Sequence, residues 1–107
     1  MKQWEVYKLE LPIGPHYVVV ISGNATCSNL GVTVVNVLLC STVRGTDRLS
    51  PTEAGLDSED GLEHLTGCQC HSFLTIKKDR FSVPPVGAVT LYRRDDIKRK
   101  VRAAFNL

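Results

Sequence analysis

The sequence predicts a mainly β fold, a small barrel or curled sheet of five or six strands closed by a C-terminal helix. Two short runs of Val, Ile and Leu, residues 17–21 and 32–39, fit a pleated surface better than a helix. Residues 95–107 instead space their apolar side chains as one face of a helix does. A chain of 107 residues with 43% hydrophobic and 22% charged residues is expected to form one globular domain, residues 1–107.

The two apolar runs organise the rest of the chain. They are joined by residues 22–31, which are polar and rich in Gly, Asn and Ser, so we predict two adjacent antiparallel strands buried on both faces or nearly so. In such a pair the entry of the first strand lies near the exit of the second. His16, at the entry, is therefore expected close to the polar end of the second strand. That end consists of Cys40, Ser41, Thr42 and, after Val43, Arg44.

The remaining strands are less strongly marked. The other predicted strands are residues 2–11, 68–76 and 86–92, with a short edge piece at 81–85. Prolines and glycine make residues 12–15 a turn, and residues 77–80 form a basic turn. A serine and a threonine ahead of Glu53 predict a capped turn at 49–53, followed by an acidic loop with no strand before residue 66.

The predicted C-terminal helix is amphipathic. Asp95 and Asp96 lie near its N-terminus, where negative charge is favourable. Its apolar face is Ile97, Val101, Ala104 and Phe105.

Charge is unevenly distributed along the chain although the net charge is only +2. Residues 47–63 are predominantly acidic, and residues 77–102 are predominantly basic. A basic segment of this kind suits a phosphate backbone or an acidic protein tail, and a solvated surface is the alternative.

No apolar run has the roughly 18–20 residues that a membrane span needs, and charges interrupt the N-terminal segment where a signal peptide would be apolar. We therefore expect a cytoplasmic protein with reduced thiols and no membrane partner. The spacing of Cys68, Cys70 and His71 suggests zinc, but metal knuckles usually have two intervening residues and alternation on a strand separates His71 from the cysteines. Buried small hydrophobic residues are the favoured interpretation, and no metal or other cofactor is expected.

Three stretches, in this order, carry a family resemblance. Residues 14–22, GPHYVVVIS, resemble a "G…R-P-V-V-V-I-S" strand, and residues 34–44, VVNVLLCSTVR, resemble "V-x-V-A-P-L-T-S-x-V-x". Residues 74–81, LTIKKDRF, resemble "R-T-V-D-K-S-R-L" and are followed by VGAV at 86–89 for "V-G-R-L". The chain thus resembles the MazF/PemK toxins of bacterial type II toxin–antitoxin modules and their structural relatives, the CcdB toxins.

The resemblance implies an SH3-like barrel of the CcdB/PemK type that forms a homodimer and binds a cognate antitoxin protein. It also implies an endoribonuclease that cleaves single-stranded mRNA without a metal ion. In that mechanism the ribose 2′-hydroxyl attacks the neighbouring phosphate and leaves a 2′,3′-cyclic phosphate and a free 5′-hydroxyl. The reaction needs a group that moves protons and donors that stabilise the negative charge on phosphorus.

The resemblance places the catalytic residues at His16, Cys40 and Ser41, with departures from the family pattern. His16 stands at the family's arginine, Tyr17 at the next proline, Cys40 at the threonine and Leu74 at a second arginine. A histidine can act as a general acid or base near neutral pH, and Ser41 or Thr42 can supply the hydroxyl that Cys40 lacks. The expected RNA-binding residues are Thr42, Arg44, Ser72, Thr75, Lys77, Lys78 and Arg80.

Two other functions remain open at this point. One is a CcdB-like toxin that acts on DNA gyrase without catalysis, although the Trp-Gly-Ile end of CcdB is absent from this chain, which ends Phe105-Asn106-Leu107. The other is a barrel that has lost the catalytic arginines and binds a protein partner. A Cys40–His16 nucleophile pair for acyl transfer is a weaker hypothesis, because no oxyanion-hole pattern accompanies it.

Overall fold

The structure, a computed structural model, describes residues 1–43 and 48–107. The strands in these ranges are β1 (Glu5–Leu11), β2 (Gly14–Val20), β3 (Val34–Thr42), β4 (Glu53–Leu56), β5 (Thr66–Gln69), β6 (Leu74–Lys77) and β7 (Gly87–Ala88). The helices are α1 (Asn24–Ser28) and α2 (Leu91–Phe105), with single 3-10 turns at Ser58–Asp60 and Lys78–Arg80.

All of these strands belong to one curled antiparallel sheet in the order β4-β5-β3-β2-β1-β7, and β6 pairs with β3 beside this path. The predicted mainly β fold with a C-terminal helix is confirmed, with seven strands in the described residues rather than five or six. The predicted antiparallel pairing of the two central strands is also confirmed.

The long strand β3 gives the sheet its curl because it changes partners along its length. Its first half pairs with β6 and its last three residues pair with β5. Cys40 is only three positions beyond Val37 on β3, whereas their partners Cys68 and Leu74 are six positions apart. The extra residues leave the sheet as a loop between β5 and β6. The prediction of one continuous strand at 68–76 is therefore wrong.

The turn between β1 and β2 is shorter than the predicted turn at 12–15. It consists of Pro12 and Ile13, and Gly14 (φ +105°) already pairs with Leu11. Such a positive φ favours glycine. Pro15 lies within β2, and a residue without an N–H is tolerated there because no β3 residue pairs with β2 at that level.

Strand β4 lies in the region predicted to be an acidic loop. The capped turn before it forms as expected, with Glu53 Oε1 accepting from the Ser50 amide at 2.9 Å and the Glu53 amide donating to the Ser50 carbonyl at 3.0 Å. The chain then pairs with β5 and buries Ala54 and Leu56. The sequence EAGL has no β-branched or aromatic residue, so propensity gives no signal for this strand.

Helix α2 begins four residues before the predicted position. The Thr90 carbonyl accepts from the amides of Arg93 and Arg94 at 3.1 and 3.0 Å, which starts the helix and shortens the strand predicted at 86–92 to β7. No strand forms at the edge piece predicted for 81–85. These residues run as irregular chain with two prolines.

The prediction of the helix's apolar face is correct for two of its four residues. Ile97 and Val101 are buried against the sheet, whereas Ala104 and Phe105 are exposed. Phe105 instead stacks on Phe73 from the β5–β6 loop, with ring centroids 4.9 Å apart.

Hydrophobic clusters lie on both faces of the sheet, so the central strands are buried on both sides where they pair, as predicted, whereas Val34 and Asn36 at the start of β3 are exposed. One cluster lies between the sheet and α2 and includes Trp4, Val6, Tyr17, Val19, Leu38, Cys40, Cys68, Ile97 and Val101. The other lies on the opposite face and comprises Tyr7, Leu9, Val18, Val20, Val35, Val37 and Ile76.

Across residues 1–43 and 48–107, neither helix has the length and apolar character that crossing a membrane requires.

A buried carboxylate anchors the start of α2 to the 3-10 turn at Ser58–Asp60. Asp60 is 0% exposed, and its oxygens accept from the amides of Thr90 (2.9 Å) and Asp57 (3.0 Å) and from the Arg93 guanidinium. The next residue, Gly61 (φ +92°), approaches the chain before β7 so closely that a Cβ there would lie 2.3 Å from the Val86 carbonyl oxygen. The carboxylate and the glycine together hold β7 and α2 in place.

We expect Asp60→Ala to lower the free energy of unfolding by about 3 kcal/mol, because it leaves the amides of Asp57 and Thr90 without their acceptor and removes one of the two aspartates that bind the Arg93 guanidinium. The measurement is urea unfolding followed by circular dichroism. Glu59→Ala removes an exposed carboxylate from the same turn and is expected to change stability little. Equal losses in the two variants would contradict the anchoring role of Asp60.

Candidate active site

The candidate active site lies where β2 and β3 separate. The two strands pair over three positions, Val18–Val20 against Val37–Leu39. Below this level β2 stays paired with β1 as far as Gly14, while β3 pairs with β5 as far as Thr42. A cleft therefore opens between the first residues of β2 and the last residues of β3.

This cleft is a cavity of about 420 Å³ with both polar and apolar walls. It is lined by Lys8, Pro15, His16, Tyr17, Cys40, Ser41, Thr42, Glu63 and His64. The predicted proximity of His16 to the Cys-Ser-Thr end of β3 is thus confirmed. Arg44, which was expected beside them, lies outside the described residues.

His16 is held by its own strand. Its Nδ1 lies 3.1 Å from the Gly14 carbonyl oxygen. A carbonyl oxygen can only accept, so Nδ1 carries the proton in this contact and Nε2 is the nitrogen left to exchange a proton. Gly14 begins β2, so the hairpin turn that it closes also sets the position of the ring.

The hydroxyl groups of the site are held from the next strand and loop. Ser41 Oγ accepts from Gln69 Nε2 on β5 at 2.8 Å, and Thr42 Oγ1 lies 3.2 Å from His64 Nε2. A hydroxyl retains further donor or acceptor capacity after one hydrogen bond. Both hydroxyls therefore remain able to bind an anion.

Cys40 contributes to the wall, but its side chain faces the core and is 2% exposed. It is paired across the sheet with Cys68, and a hydrogen bond from Cys40, together with burial, raises the pKa of Cys68 well above its usual value. A hydrogen bond with Cys68, followed by burial, likewise raises the pKa of Cys70. These cysteines behave as the buried small hydrophobic residues that the sequence favoured. In residues 1–43 and 48–107, no three His, Cys, Asp or Glu side chains are grouped so as to hold a metal ion.

Five residues of the cleft were absent from the predicted site: Lys8, Pro15, Tyr17, Glu63 and His64. Lys8 faces Tyr17 across the β1–β2 pair, with its Nζ 5.6 Å from the ring centroid. That position follows from the register of the hairpin, which becomes predictable once the turn is known to have two residues. His64 comes from the segment before β5, and no sequence pattern predicted that β5 lies next to the end of β3.

The other predicted RNA-binding residues lie away from the cleft. Thr75, Lys77 and Arg80 line a second, mainly apolar groove of about 470 Å³ between the tip of the β1–β2 hairpin and β6. Ser72 is exposed in the β5–β6 loop and lines neither cavity. Of the predicted RNA-binding residues, Thr42 therefore lines the cleft, Thr75, Lys77 and Arg80 line this groove, and Ser72 and Lys78 line neither.

Lys78 has a structural contact that its neighbour Lys77 lacks. Its Nζ donates to the carbonyl oxygens of Thr26 and Asn29 at 2.7 and 2.8 Å, at the end of the short helix α1. A cation is favourable at a helix C-terminus, where carbonyl groups lack intrahelical partners. The ammonium group of Lys78 thus ties α1 to the turn after β6.

Solved structures share this architecture over nearly the whole chain. The Mycobacterium tuberculosis toxin MazF-mt6 matches with a TM-score of 0.80 at 20% identity, over 96% of this chain and 97% of that chain. An endoribonuclease in complex with its cognate antitoxin from Mycobacterial species matches with a TM-score of 0.79 at 20% identity, over 100% and 94%. A chain of a MazE–MazF complex from Deinococcus radiodurans matches at 0.74 and 11% identity, over 100% and 96%.

The chain has the MazF toxin fold. The resemblance found in three sequence stretches is therefore confirmed at the level of the fold. At these identities the likeness shows the fold alone. Neither the protein-family models nor the curated proteins give a match to this sequence.

We expect Lys78→Met to lower the free energy of unfolding by about 1–2 kcal/mol, because it removes two charge-assisted hydrogen bonds to carbonyl groups. The matched control is Lys77→Met, a change at the adjacent, exposed lysine. It is expected to leave the free energy of unfolding almost unchanged. Thermal and urea unfolding of both variants measures the difference. If the two variants are equally stable, Lys78 does not serve as the tie to α1.

Proposed function

We propose that this protein is the toxin of a toxin–antitoxin module and an endoribonuclease that cleaves single-stranded mRNA without a metal ion. The observation that carries the proposal is the cleft between β2 and β3, where a histidine and two hydroxyl groups meet beside Lys8. The cleft occurs on a MazF fold, and one protein with this fold is described as an endoribonuclease in complex with its cognate antitoxin.

The groups in the cleft match what the reaction needs. A base removes the proton from the ribose 2′-hydroxyl, and the 2′-oxygen forms a bond to phosphorus. The bond from phosphorus to the 5′-oxygen then breaks as that oxygen takes up a proton. The products are a 2′,3′-cyclic phosphate and a free 5′-hydroxyl.

In this reaction His16 handles a proton through Nε2, the nitrogen that its contact with Gly14 leaves available. Ser41 and Thr42 donate hydrogen bonds to the phosphate oxygens as negative charge develops. Cys40, whose thiol is enclosed, shapes the wall between them. Lys8 supplies a positive charge beside the phosphate, which the family's arginine would otherwise provide.

The second groove suits the antitoxin. Its walls combine apolar side chains, among them Leu11, Ile13 and Leu74, with the cations Lys77 and Arg80. A protein tail with apolar and acidic residues complements such a surface in both respects. We therefore propose that the antitoxin binds along this groove, and that Thr75, Lys77 and Arg80 contact RNA when the antitoxin is absent. The toxin is proposed to act in the cytoplasm as a homodimer.

We expect the purified protein to cut a long single-stranded RNA into discrete fragments with 5′-hydroxyl ends in the presence of EDTA. His16→Ala is expected to lower the cleavage rate by about 10²–10⁴-fold, because general acid–base catalysis contributes that much. Gel analysis of the fragments, with a kinase assay for 5′-hydroxyl ends, measures both results. The matched control is His71→Ala, a change at an exposed histidine outside the cleft, purified by the same route.

Three results would contradict the proposal in different ways. Equal cutting by the parent, His16→Ala and His71→Ala would indicate a contaminating nuclease or another catalytic residue. Cutting that EDTA abolishes would contradict metal independence. Intact RNA with all three proteins would favour a toxin that acts by binding a protein, for which inhibition of gyrase supercoiling is the next assay.

A further inference from the structure

A second histidine lies in the same cleft as His16. His64 belongs to the segment that leads into β5, and it lines the cavity. The Nε2 atom is 3.2 Å from Thr42 Oγ1, and the His64 carbonyl accepts from the Thr66 hydroxyl at 3.0 Å. Both the ring and the backbone of this residue are therefore held. The third histidine of the chain, His71, is exposed in the β5–β6 loop and lines neither this cavity nor the groove.

The cleavage reaction forms a bond from phosphorus to the 2′-oxygen and breaks the bond from phosphorus to the 5′-oxygen. It needs two proton transfers, one away from the 2′-oxygen and one toward the 5′-oxygen. The contact of His16 Nδ1 with the Gly14 carbonyl leaves Nε2 unprotonated in the neutral ring, which is the form a base requires. The same ring cannot protonate a leaving oxygen until it has accepted a proton. A separate donor on the cleft wall would let both transfers occur in one step.

The cleft offers several candidates for that donor. The titratable side chains that share the cavity with both histidines are Lys8, Tyr17, Cys40 and Glu63. Among side-chain types, imidazole is the one that ordinarily changes charge between pH 5 and 8, and a catalytic acid works best when it titrates near the working pH. Cys40 is enclosed, and ammonium and phenol groups ordinarily keep their protons well above neutral pH. These considerations favour the second histidine.

We infer that His64 is the general acid of this site and protonates the leaving 5′-oxygen, while His16 is the general base that takes the 2′-hydroxyl proton; this rests on the proposed nuclease function. One proton leaves the 2′-oxygen for His16 Nε2, and one leaves the His64 imidazolium for the 5′-oxygen. The 2′-oxygen–phosphorus bond forms and the phosphorus–5′-oxygen bond breaks. Water later returns both rings to their starting forms. Besides its proposed hydrogen bond to the phosphate, Thr42 orients the His64 ring, whose Nε2 lies 3.2 Å from the threonine hydroxyl.

The test uses a leaving group that needs no acid. A short RNA spanning a cleavage site mapped on the long RNA is made in two forms, one with the natural 5′-oxygen and one with sulfur at that bridging position. A thiolate leaves without being protonated. We expect His64→Ala to lower kcat/KM on the natural RNA by about 10²–10⁴-fold. On the sulfur RNA, kcat/KM of the same variant is expected to lie within about tenfold of the parent value. His16→Ala is expected to be impaired on both.

The pH dependence provides a second readout with a gentler variant. His64→Gln retains an amide that can contact Thr42 but cannot transfer a proton at neutral pH. The parent is expected to show a bell-shaped profile of kcat/KM, and His64→Gln is expected to lose the fall at alkaline pH while keeping the fall at acidic pH. Glu63→Gln, next to it in the chain, is expected to retain both limbs. Thermal unfolding of each variant shows whether it is folded.

The possible failures can be distinguished. If the parent cuts the RNA and folded His64→Gln cuts both the natural and the sulfur RNA as fast as the parent does, the role of His64 is wrong and the nuclease stands. If His64→Ala is impaired equally on both RNAs, His64 binds substrate or supports the fold, and the inference is overturned. If the parent cuts no RNA, the nuclease proposal fails and this inference fails with it.

Discussion

The structure depends on the limited pairing between β2 and β3. These strands share three residue pairs and then follow different neighbours, β1 for β2 and β5 for β3. Five of the six paired residues are buried and Leu39 is half-buried, which fixes the register, because a slip of one residue would move every side chain to the other face and disrupt the packing there. The point of separation is fixed with it. A cleft at that point is therefore a property of the core and needs no flexible loop to form it.

The division of β3 among three strands places polar groups at the cleft in a fixed geometry. β2 brings His16, the end of β3 brings Ser41 and Thr42, and β5 approaches closely enough for Gln69 to donate to Ser41. Sites built on strands hold their side chains more precisely than sites on loops. His64 is the exception, since it lies before β5. Its ring is held by the contact with Thr42, the last residue of β3.

The sequence predicted the structure correctly where local hydrophobic patterning and antiparallel strand geometry determine it. Two valine-rich runs predicted the central pair, and antiparallel geometry then placed His16 beside the end of β3. The break between β5 and β6 was not predictable in this way, because it follows from the change of partners along β3 rather than from residues 68–76 themselves. The alternation in that segment continues through the break. Strand β4 lacks any propensity signal, and its pairing with β5 decides its structure.

Replacement of the family's arginine by His16 changes the electrostatics of the cleft. A guanidinium is permanently charged and binds phosphate through two parallel hydrogen bonds, whereas an imidazole exchanges a proton near neutral pH and offers a single donor toward the ligand. In the proposed reaction the attraction of the phosphate comes from other groups, and Lys8 lines the same cleft as His16. Under the proposed function, His16 and Lys8 together would do what one arginine does in the resembled pattern.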